Sequence, residues 1–310
     1  MVPFYSAPHV EAAVSPERAY EAVRTAFLAH ARGEWTMQPK LYVTNYPAGD
    51  FRAMPALGGG HALLKWVTSF PGNPARGLPT VSGVVLLSDA ETGVVEAVMD
   101  AGSVTALRTG AAAALGAETL GVPGGSAAVI GAGVNGRACA RSLKALGREV
   151  SLWDVDGERA NSVAAGLGIG VAAGQDEAMG ADVVVTVTPG KQILLPEGSL
   201  RSGQHVSLMG ADGPGKAEIA VEEIRRTRIF CDEWEQASHG GELAAAVEAG
   251  AITRAGVTEL GAVLTGEAEG RRSNDEITIF DSTGLAIQDL AVAIAAYERA
   301  GELDLPLLDL

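Results

Sequence analysis

The chain has 310 residues, of which 47% are hydrophobic and 20% are charged, as in ordinary globular proteins. Lysine and arginine number 23 and aspartate and glutamate 38, so the formal net charge is −15. Such a negative field repels phosphate backbones and anionic lipids, which argues against nucleic-acid and membrane partners. Two cysteines are too few for a disulfide framework, and no basic and apolar leader opens the sequence. We therefore expect a cytoplasmic protein, and at about 150 residues per domain its length suggests two domains.

The first part of the chain mixes helices and strands. Ser15-Pro16 predicts a helix start, and the helix is expected to run to about Ala31. Strands are predicted in KLYVTNY, HALLKWVTSF, VSGVVLLS and GVVEAVM, with DAETG as the turn between the last two. Ser103 is expected to open an alanine-rich helix that stops at Gly121-Val122-Pro123. This pattern predicts an α+β domain over residues 1–120.

From Ser126 onwards, predicted strands alternate with helices. The apolar runs AAVI, EVSLWD, DVVVTVT, HVSLMG and RIFCD are separated by helical or loop segments, a pattern typical of a parallel sheet covered on both faces. TIFDST then leads into a last amphipathic helix, GLAIQDLAVAIAAYERAG. We predict an α/β protein with a Rossmann dinucleotide-binding domain over residues 121–285, and we expect residues 286–310 to complete the first domain.

A glycine-rich loop carries the strongest functional signal. AAVI runs into GAGVNG, residues 131–136, and then into a helix and a strand that ends in Asp154. This order indicates a dinucleotide site, in which Gly131 permits the tight turn, Gly133 lets the backbone approach a pyrophosphate and Gly136 allows close helix packing. Free N–H groups of the helix would hold the phosphates. Asp154 favours NAD over NADP because it accepts hydrogen bonds from a ribose, unless it only caps the following turn.

Ligands of open parallel sheets lie at the carboxyl ends of the strands, which adds three candidates. Thr188 is predicted to lie beside the cofactor, or to be a simple turn hydroxyl. Asp212 could move protons to or from a substrate in a partly dehydrated cleft, or it could cap the next helix. Lys216 either meets a cofactor phosphate or stays solvated.

Three basic residues of the first domain lie on apolar elements. Lys65 is inside an otherwise uncharged strand, Arg108 is on a helix among small residues, and Arg52 stands just before a strand. Each alone is typical of a surface charge, but together they indicate an anionic substrate, most simply a carboxylate. The five histidines show no metal-ligand spacing, so no metal site is expected.

Several segments together resemble the ornithine cyclodeaminase/mu-crystallin family. They are RAMPALGGGHALLKWVTSFPGN, LPTVSGVVLLSDAETGVVEAVMD, TALRTGAAAAL, VIGAGVNG, GADGPGK and STGLAIQDLAVA, in the same order from about residue 35 to about residue 300. The resemblance implies a homodimer, with a substrate-binding and dimerisation domain and a Rossmann domain in each subunit. It also implies activity on α-amino or cyclic imino acids with NAD(P).

The resemblance further implies roles for individual residues. Lys65 looks like the family's substrate-contacting lysine, Asp212 like its proton donor and acceptor, and Arg108 like the arginine that serves carboxylate and cofactor. Thr283 falls beside the substrate. The positions that touch the dinucleotide in relatives are, beside the glycine loop, Thr80, Arg108, Val134, Asn135, Asp154, Thr188, Met209, Lys216 and Ser282.

One residue departs from the cyclodeaminase pattern. Relatives that cyclise ornithine carry a glutamate two residues before the Met-Pro pair, where this chain has Arg52, as in the alanine-dehydrogenase and imine-reductase branches. The sequence therefore predicts an NAD(P)H-dependent reductase or dehydrogenase of small α-imino or α-amino acids, with hydride transfer at Cα, of the ketimine reductase, pyrroline-2-carboxylate reductase or alanine dehydrogenase type. Two alternatives stay open: an ornithine cyclodeaminase that uses NAD catalytically, and a non-catalytic NAD(P)-dependent binding protein.

Overall fold

Residues 1–190, 192–211, 213 and 215–310 are described by the computed structural model. The chain forms two units, the first made of Met1–Arg108 with Leu285–Leu310 and the second of Thr109–Gly284. The division falls inside a helix, upstream of the boundary near residue 120 that the sequence suggested, and the last helix belongs to the first unit. Within the described ranges, no helix is long and apolar enough to cross a membrane.

The first unit combines strands with helices. In chain order the elements are β1 (Val2–Tyr5), α1 (Ala7–Ala13), α2 (Pro16–Ala31), β2 (Thr36–Met37), β3 (Leu41–Asn45), β4 (Gly49–Gly58), β5 (His61–Ser69), β6 (Val81–Asp89), β7 (Val95–Asp100) and α3 (Ala101–Leu120), whose residues beyond Arg108 belong to the second unit. The helix over Pro16–Ala31 and the strands named above form as predicted. Helix α3 begins at Ala101 instead of Ser103, because Asp100 accepts hydrogen bonds from the backbone N–H and the hydroxyl of Ser103 and so caps the helix earlier.

The sheet of the first unit has the strand order β16-β1-β7-β6-β5-β4-β2, with β3 also paired to β4. Its register sets Met54 opposite Lys65 and Arg52 opposite Val67. Because side chains alternate along a strand, Arg52 and Lys65 lie on the same face. Arg52 is thus inside β4, and its expected place before a strand was wrong, because β4 extends from Gly49 through the whole apolar segment.

The second unit contains the remaining elements apart from the chain end. They are β8 (Ala127–Ile130), α4 (Val134–Ala145), β9 (Val150–Trp153), α5 (Gly157–Leu167), β10 (Gly170–Val171), α6 (Gln175–Met179), β11 (Val183–Thr186), β12 (His205–Leu208), α7 (Val221–Ile224), β13 (Arg228–Cys231), α8 (Trp234–Gly240), α9 (Ala244–Glu248), β14 (Val257–Glu259), α10 (Leu260–Thr265) and β15 (Thr278–Asp281). The chain then returns to the first unit with α11 (Ala286–Tyr297) and β16 (Leu307–Leu308).

The sheet of the second unit confirms the predicted α/β class. Its order is β10-β9-β8-β11-β12-β15-β13-β14, and each adjacent pair is parallel. From β8 the chain first adds β9 and β10 on one side, and then β11 and β12 on the other. The strand order therefore reverses between β8 and β11, and in such sheets ligands bind outside the carboxyl ends of the strands at this point.

Helix α11 packs on α2 and on strands β4 and β5 of the first unit. Nearly all of its residues are buried, including Gln288 and Asp289. A helix that is buried on all sides is expected to be apolar all round, so a carboxylate in its first turn needs a partner. That partner comes from the sheet, as described below.

Candidate functional site

The glycine loop of the second unit has the geometry that a dinucleotide site requires. Gly131 has a φ of +113°, and a Cβ at Gly136 would lie 1.7 Å from the carbonyl oxygen of Gly131, so both positions need glycine for the loop itself. A Cβ at Gly133 would meet nothing within 4 Å, which leaves open space above the backbone. Helix α4 begins at Val134 without a side-chain cap, so the N–H groups of Val134 and Asn135 are available to an anion. These residues fit the phosphates of a dinucleotide.

Asp154 lies directly after β9 and connects the glycine loop to the next turn. Its Oδ2 accepts a hydrogen bond from the Ala132 N–H at 2.6 Å, and its Oδ1 accepts from Arg159 Nη2 at 2.7 Å and from the Asp156 N–H at 2.8 Å. Burial raises the pKa of Asp154, but the hydrogen bonds from Arg159 and the two backbone groups outweigh it and hold the pKa below its ordinary value. Asp154 therefore caps the following turn and is also a charged group next to the glycine loop.

Thr188 follows β11 and is held by a carboxylate that sequence reasoning missed. Glu218 is fully buried and accepts hydrogen bonds from the Thr188 N–H at 2.9 Å, from the Thr188 hydroxyl and from Thr186 Oγ1 at 2.7 Å. Thr188 is thus a fixed part of this edge and not a free turn hydroxyl. Glu218 follows the motif GADGPGK, in which only Asp212 and Lys216 were predicted as site residues. Its role is recognised from its burial and not from a sequence pattern.

Other predicted cofactor residues lie near the same edge of the sheet. Met209 follows β12, and its N–H donates to the Thr186 carbonyl at 2.8 Å. Lys216 is half-buried, and its Cβ would lie 3.0 Å from a Cβ added at Gly190. Asp212, the predicted proton carrier, lies outside the described residues.

Ser282 and Thr283 follow β15 and share one carboxylate. Both are buried, and both hydroxyls donate to Asp232 at 3.2 Å, while the Gly284 N–H donates to it at 2.9 Å. Asp232 itself follows β13, which pairs with β15. The parallel register therefore brings the two strand ends together, and Asp232 orients both hydroxyls.

In the first unit, Lys65 and Arg108 share a second carboxylate that was not predicted. Lys65 Nζ donates to Asp289 Oδ2 at 2.6 Å and to Thr105 Oγ1 at 3.4 Å, and Arg108 Nε lies 3.4 Å from Asp289 Oδ1. Lys65 is 1% exposed and Asp289 is 0% exposed, so the lysine does not reach out to solvent. Burial lowers the pKa of Lys65 to about 8, an effect that Asp289 opposes and Arg108 reinforces.

The charges of this Lys65–Arg108–Asp289 cluster do not cancel. With Lys65 protonated the cluster carries two positive charges and one negative charge. Arg108 is only 12% exposed at its side chain, and its Nε faces Asp289 Oδ1 as an ion pair at 3.4 Å without forming a hydrogen bond. Because two buried cations share this one carboxylate, the arrangement favours an anion as a further partner. The single carboxylate in the apolar helix α11 was the sequence signal for Asp289.

Arg52 lies on the same sheet face as Lys65 but has its own counterion. Its Nε donates to Asp50 Oδ1 at 2.6 Å and its Nη2 donates to Asp50 Oδ2 at 3.3 Å. The guanidinium also lies 5.3 Å from the ring centre of Tyr42. The Arg52–Asp50 pair therefore has no net charge, whereas Arg108 shares its carboxylate with Lys65.

Thr80, the remaining predicted cofactor residue, directly precedes β6 in the first unit and is half-buried. Its carbonyl accepts a hydrogen bond from the Phe70 N–H at 2.8 Å. Within the part of the chain that the structure describes, no group of three or more histidine, cysteine or acidic side chains is placed to hold a metal ion.

Comparison with known proteins agrees with this architecture. The sequence profile of the ornithine cyclodeaminase/mu-crystallin family matches residues 3–303. The chain is 43% identical to an alanine dehydrogenase of Archaeoglobus fulgidus over 303 residues, 94% of this chain and 92% of that protein. An archaeal alanine dehydrogenase dimer with bound NAD superimposes with a TM-score of 0.92 at 41% identity, covering 97% of this chain and 96% of the other.

A second solved structure extends the comparison to an imine reductase. The Δ1-pyrroline-2-carboxylate reductase of Thermococcus litoralis, in complex with NADH and L-proline, superimposes with a TM-score of 0.91 at 27% identity. It covers 97% of this chain and 98% of the other. With a family profile that spans nearly its whole length, this chain belongs to the ornithine cyclodeaminase/mu-crystallin family.

Proposed function

We propose that this protein is an NAD-dependent oxidoreductase of small α-amino and α-imino acids. The observation that carries the proposal is the buried Lys65–Arg108–Asp289 cluster, in which two cations share one carboxylate. The glycine loop of the second unit, which fits a dinucleotide, supports it. The names of similar proteins, an alanine dehydrogenase and a pyrroline-2-carboxylate reductase, support the same substrate class.

The first unit would bind the substrate through its carboxylate. Arg108 supplies a fork of N–H donors, and Lys65 has three N–H groups, of which two have acceptors among the described side chains. One substrate carboxylate would balance the net charge of the cluster. Thr283 would contact the substrate, and Arg52, already paired with Asp50, would contribute a weaker field than an unpaired arginine.

The second unit would bind the cofactor along its glycine loop. Gly131, Gly133, Val134, Asn135 and Gly136 would hold the phosphates through the backbone. Asp154 would accept hydrogen bonds from the adenosine ribose, which favours NAD, while Arg159 beside it would be the residue to accommodate a 2′-phosphate if NADP binds. Further cofactor contacts would come from Thr80, Arg108, Thr188, Met209, Lys216 and Ser282. When bound, NAD supplies or accepts the hydride at its nicotinamide ring.

Two residues would handle charge and protons during the reaction. In the reductive direction an α-imino acid, a hydride from NADH and a proton give an α-amino acid and NAD⁺. Lys65 would polarise the reacting group and stabilise the carboxylate, and Asp212 would deliver or remove the proton at the substrate nitrogen. Since the pKa of Lys65 is about 8, its ammonium form is present at neutral pH.

The Arg52–Asp50 pair favours the reductase over the cyclodeaminase. A cyclodeaminase must recognise the second amino group of ornithine, most simply with a carboxylate. Asp50 is the buried carboxylate of this strand, and both of its oxygens are occupied by Arg52. A carboxylate committed to an arginine is a poor partner for an additional ammonium group.

We further propose that a second copy of this chain covers the outer face of the first-unit sheet. The alternation that buries Lys65 turns Leu64 and Trp66 outward, each 39% exposed, and Val84 lies opposite Trp66 on the same face. Leu41 and Val43 extend this apolar face across β3. Aromatic and aliphatic side chains in such an area are typical of subunit interfaces. The dimeric state of the similar archaeal alanine dehydrogenase supports a second copy of this chain as the partner at this face.

Net NADH consumption by the purified protein tests the proposed reaction. Pyruvate with ammonia and, separately, Δ1-pyrroline-2-carboxylate are expected to oxidise NADH stoichiometrically. Ornithine with NAD⁺ is assayed in parallel for ammonia and proline. Release of both products without net NADH change would establish the cyclodeaminase instead, and binding of NADH without turnover in any reaction would indicate a binding protein.

A further inference from the structure

Glu218 connects the loops that follow two adjacent parallel strands. Besides the hydrogen bonds from Thr186, the last residue of β11, and from Thr188 just after it, Glu218 accepts one from the backbone N–H of Gly210, after β12. A Cβ at Gly210 would lie 2.5 Å from a Glu218 carboxylate oxygen, so the carboxylate packs directly against this loop. One buried side chain therefore fixes the carboxyl ends of both strands.

These hydrogen bonds also determine what Thr188 offers to a ligand. A threonine hydroxyl has one proton and two lone pairs. The proton is donated to Glu218, and one lone pair faces the Gly190 N–H at 3.4 Å. The hydroxyl oxygen is thus left as an acceptor, suited to a ribose hydroxyl or a carboxamide N–H.

A second buried carboxyl group, that of Glu242, binds the backbone next to Glu218. Burial raises the pKa of Glu218 above its ordinary value, and the hydrogen bonds from four donors oppose this rise only in part. Glu242 Oε2 accepts hydrogen bonds from the backbone N–H groups of Glu218 and Ile219, and burial together with the charge of Glu218 raises the pKa of Glu242 to about 8. The two buried carboxyl groups are therefore linked through the backbone N–H of Glu218.

We propose that Glu218 is a positioning residue for the nicotinamide half of the cofactor, because it holds Thr188 in place as a hydrogen-bond acceptor. In doubly wound sheets one half of a dinucleotide lies at the first strands and the other half beyond the reversal of strand order. Asp154, after β9, belongs to the adenosine side, whereas Thr188 and Gly210 follow β11 and β12 on the other side. This inference rests on the proposed cofactor binding.

The test measures NADH affinity by fluorescence titration in the wild type, E218Q, T188V and the double variant. Because a glutamine side chain offers one acceptor oxygen to the donors that the two oxygens of Glu218 bind, E218Q should weaken NADH binding about tenfold or more. In the T188V background the same substitution should cost less than about threefold, since Glu218 acts through Thr188. Urea unfolding of the cofactor-free variants is measured alongside.

E223Q is the matched control. Glu223 is equally buried in the second unit, and it accepts hydrogen bonds from the backbone N–H groups of Gly198 and Leu200 at 2.6 and 2.7 Å. Its substitution should lower stability without changing NADH affinity. If E218Q yields no folded protein, T188S and T188V are compared, and the serine variant should retain the affinity that the valine variant loses.

The possible results separate the inference from the proposed function. A wild type that does not bind NADH would refute the cofactor assignment. A wild type that binds NADH, with E218Q within about twofold of it, would overturn only the role of Glu218. The role of Glu218 would also be overturned if E223Q lost as much NADH affinity as E218Q, or if the effects of E218Q and T188V were additive in the double variant. Equal NADH affinity of T188S and T188V would overturn it as well.

Discussion

Replacement of Asp289 by asparagine tests how the Lys65–Arg108–Asp289 cluster works. The carboxylate oxygen lies 2.6 Å from Lys65 Nζ, and both side chains are at most 1% exposed. At an effective dielectric constant of about 20, unit charges about 4 Å apart interact by about 4 kcal/mol, which corresponds to about 3 pKa units. Opposite charges at such distances shift pKa values by about 1–3 units. Loss of Asp289 should therefore lower the pKa of Lys65 by an amount in this range.

The sign of the effect on activity follows from the role of Lys65. If protonated Lys65 binds the substrate carboxylate, kcat/KM is high below its pKa and falls as the pH rises through that value. With the pKa of Lys65 at about 8, the wild type should lose activity through pH 8 and not near 10.5. In D289N the falling limb should move to between about pH 5 and about pH 7, and KM at neutral pH should rise.

The assay is kcat/KM for the imino acid between about pH 5 and about pH 10, measured with two further variants. D50N removes the counterion of Arg52, another buried carboxylate of the first unit, and should leave the limb in place. K65R should lose the limb, since arginine keeps its proton above pH 12. The reasoning would be refuted if the falling limb of kcat/KM stayed near pH 8 in D289N. It would also be refuted if D50N shifted the limb as far as D289N does.

Three other predictions concern the loop, the cofactor choice and the subunit contact. G133A should unfold at the same temperature as the wild type but bind NADH more weakly. G136A should bind NADH more weakly and also lose about 1 kcal/mol or more of stability, because its Cβ would clash with the Gly131 carbonyl. Equal thermal unfolding of the two variants would contradict this prediction. D154S should lower NAD affinity by about tenfold or more and release Arg159 for NADP, so an unchanged ratio of NAD to NADP affinity would count against the ribose contact. W66E should sediment as a monomer where the wild type is a dimer, and a dimeric W66E would exclude the outer sheet face as the interface.

Most of the second unit could be predicted from the sequence. Its alternating apolar runs and helices, the glycine loop and the position of Asp154 after β9 are local signals, and each corresponds to the structure. Boundaries were less accurate where a side chain intervened, as at α3, where Asp100 caps the helix before Ser103. Arg52 was placed outside its strand because the sequence GDFRAMPA does not mark where β4 begins.

The carboxylates that orient the predicted residues could not be found in the same way. Asp289 is 224 positions from Lys65, Glu218 is 30 positions from Thr188, and Asp232 is 51 positions from Thr283. Glu218 and Asp232 were two acids among 38, without a distinguishing local pattern, and Asp289 stood out only as the single carboxylate of an apolar helix. Burial is what makes these acids unusual, and burial depends on which elements pack together.

The sequence by itself determined the class of fold and the position of the glycine loop, because strand and helix periods and the conformations open to glycine depend on neighbouring residues. It also suggested that Arg52, Lys65 and Arg108 together form an anion site, which stays a prediction. Tertiary structure alone decided that Lys65 and Arg108 share Asp289. It also decided that Asp50 pairs with Arg52 and that Glu218 fixes Thr188. These contacts arise from strand register and from packing of α11 on the sheet, where a buried charge is stable only beside a partner that another element supplies.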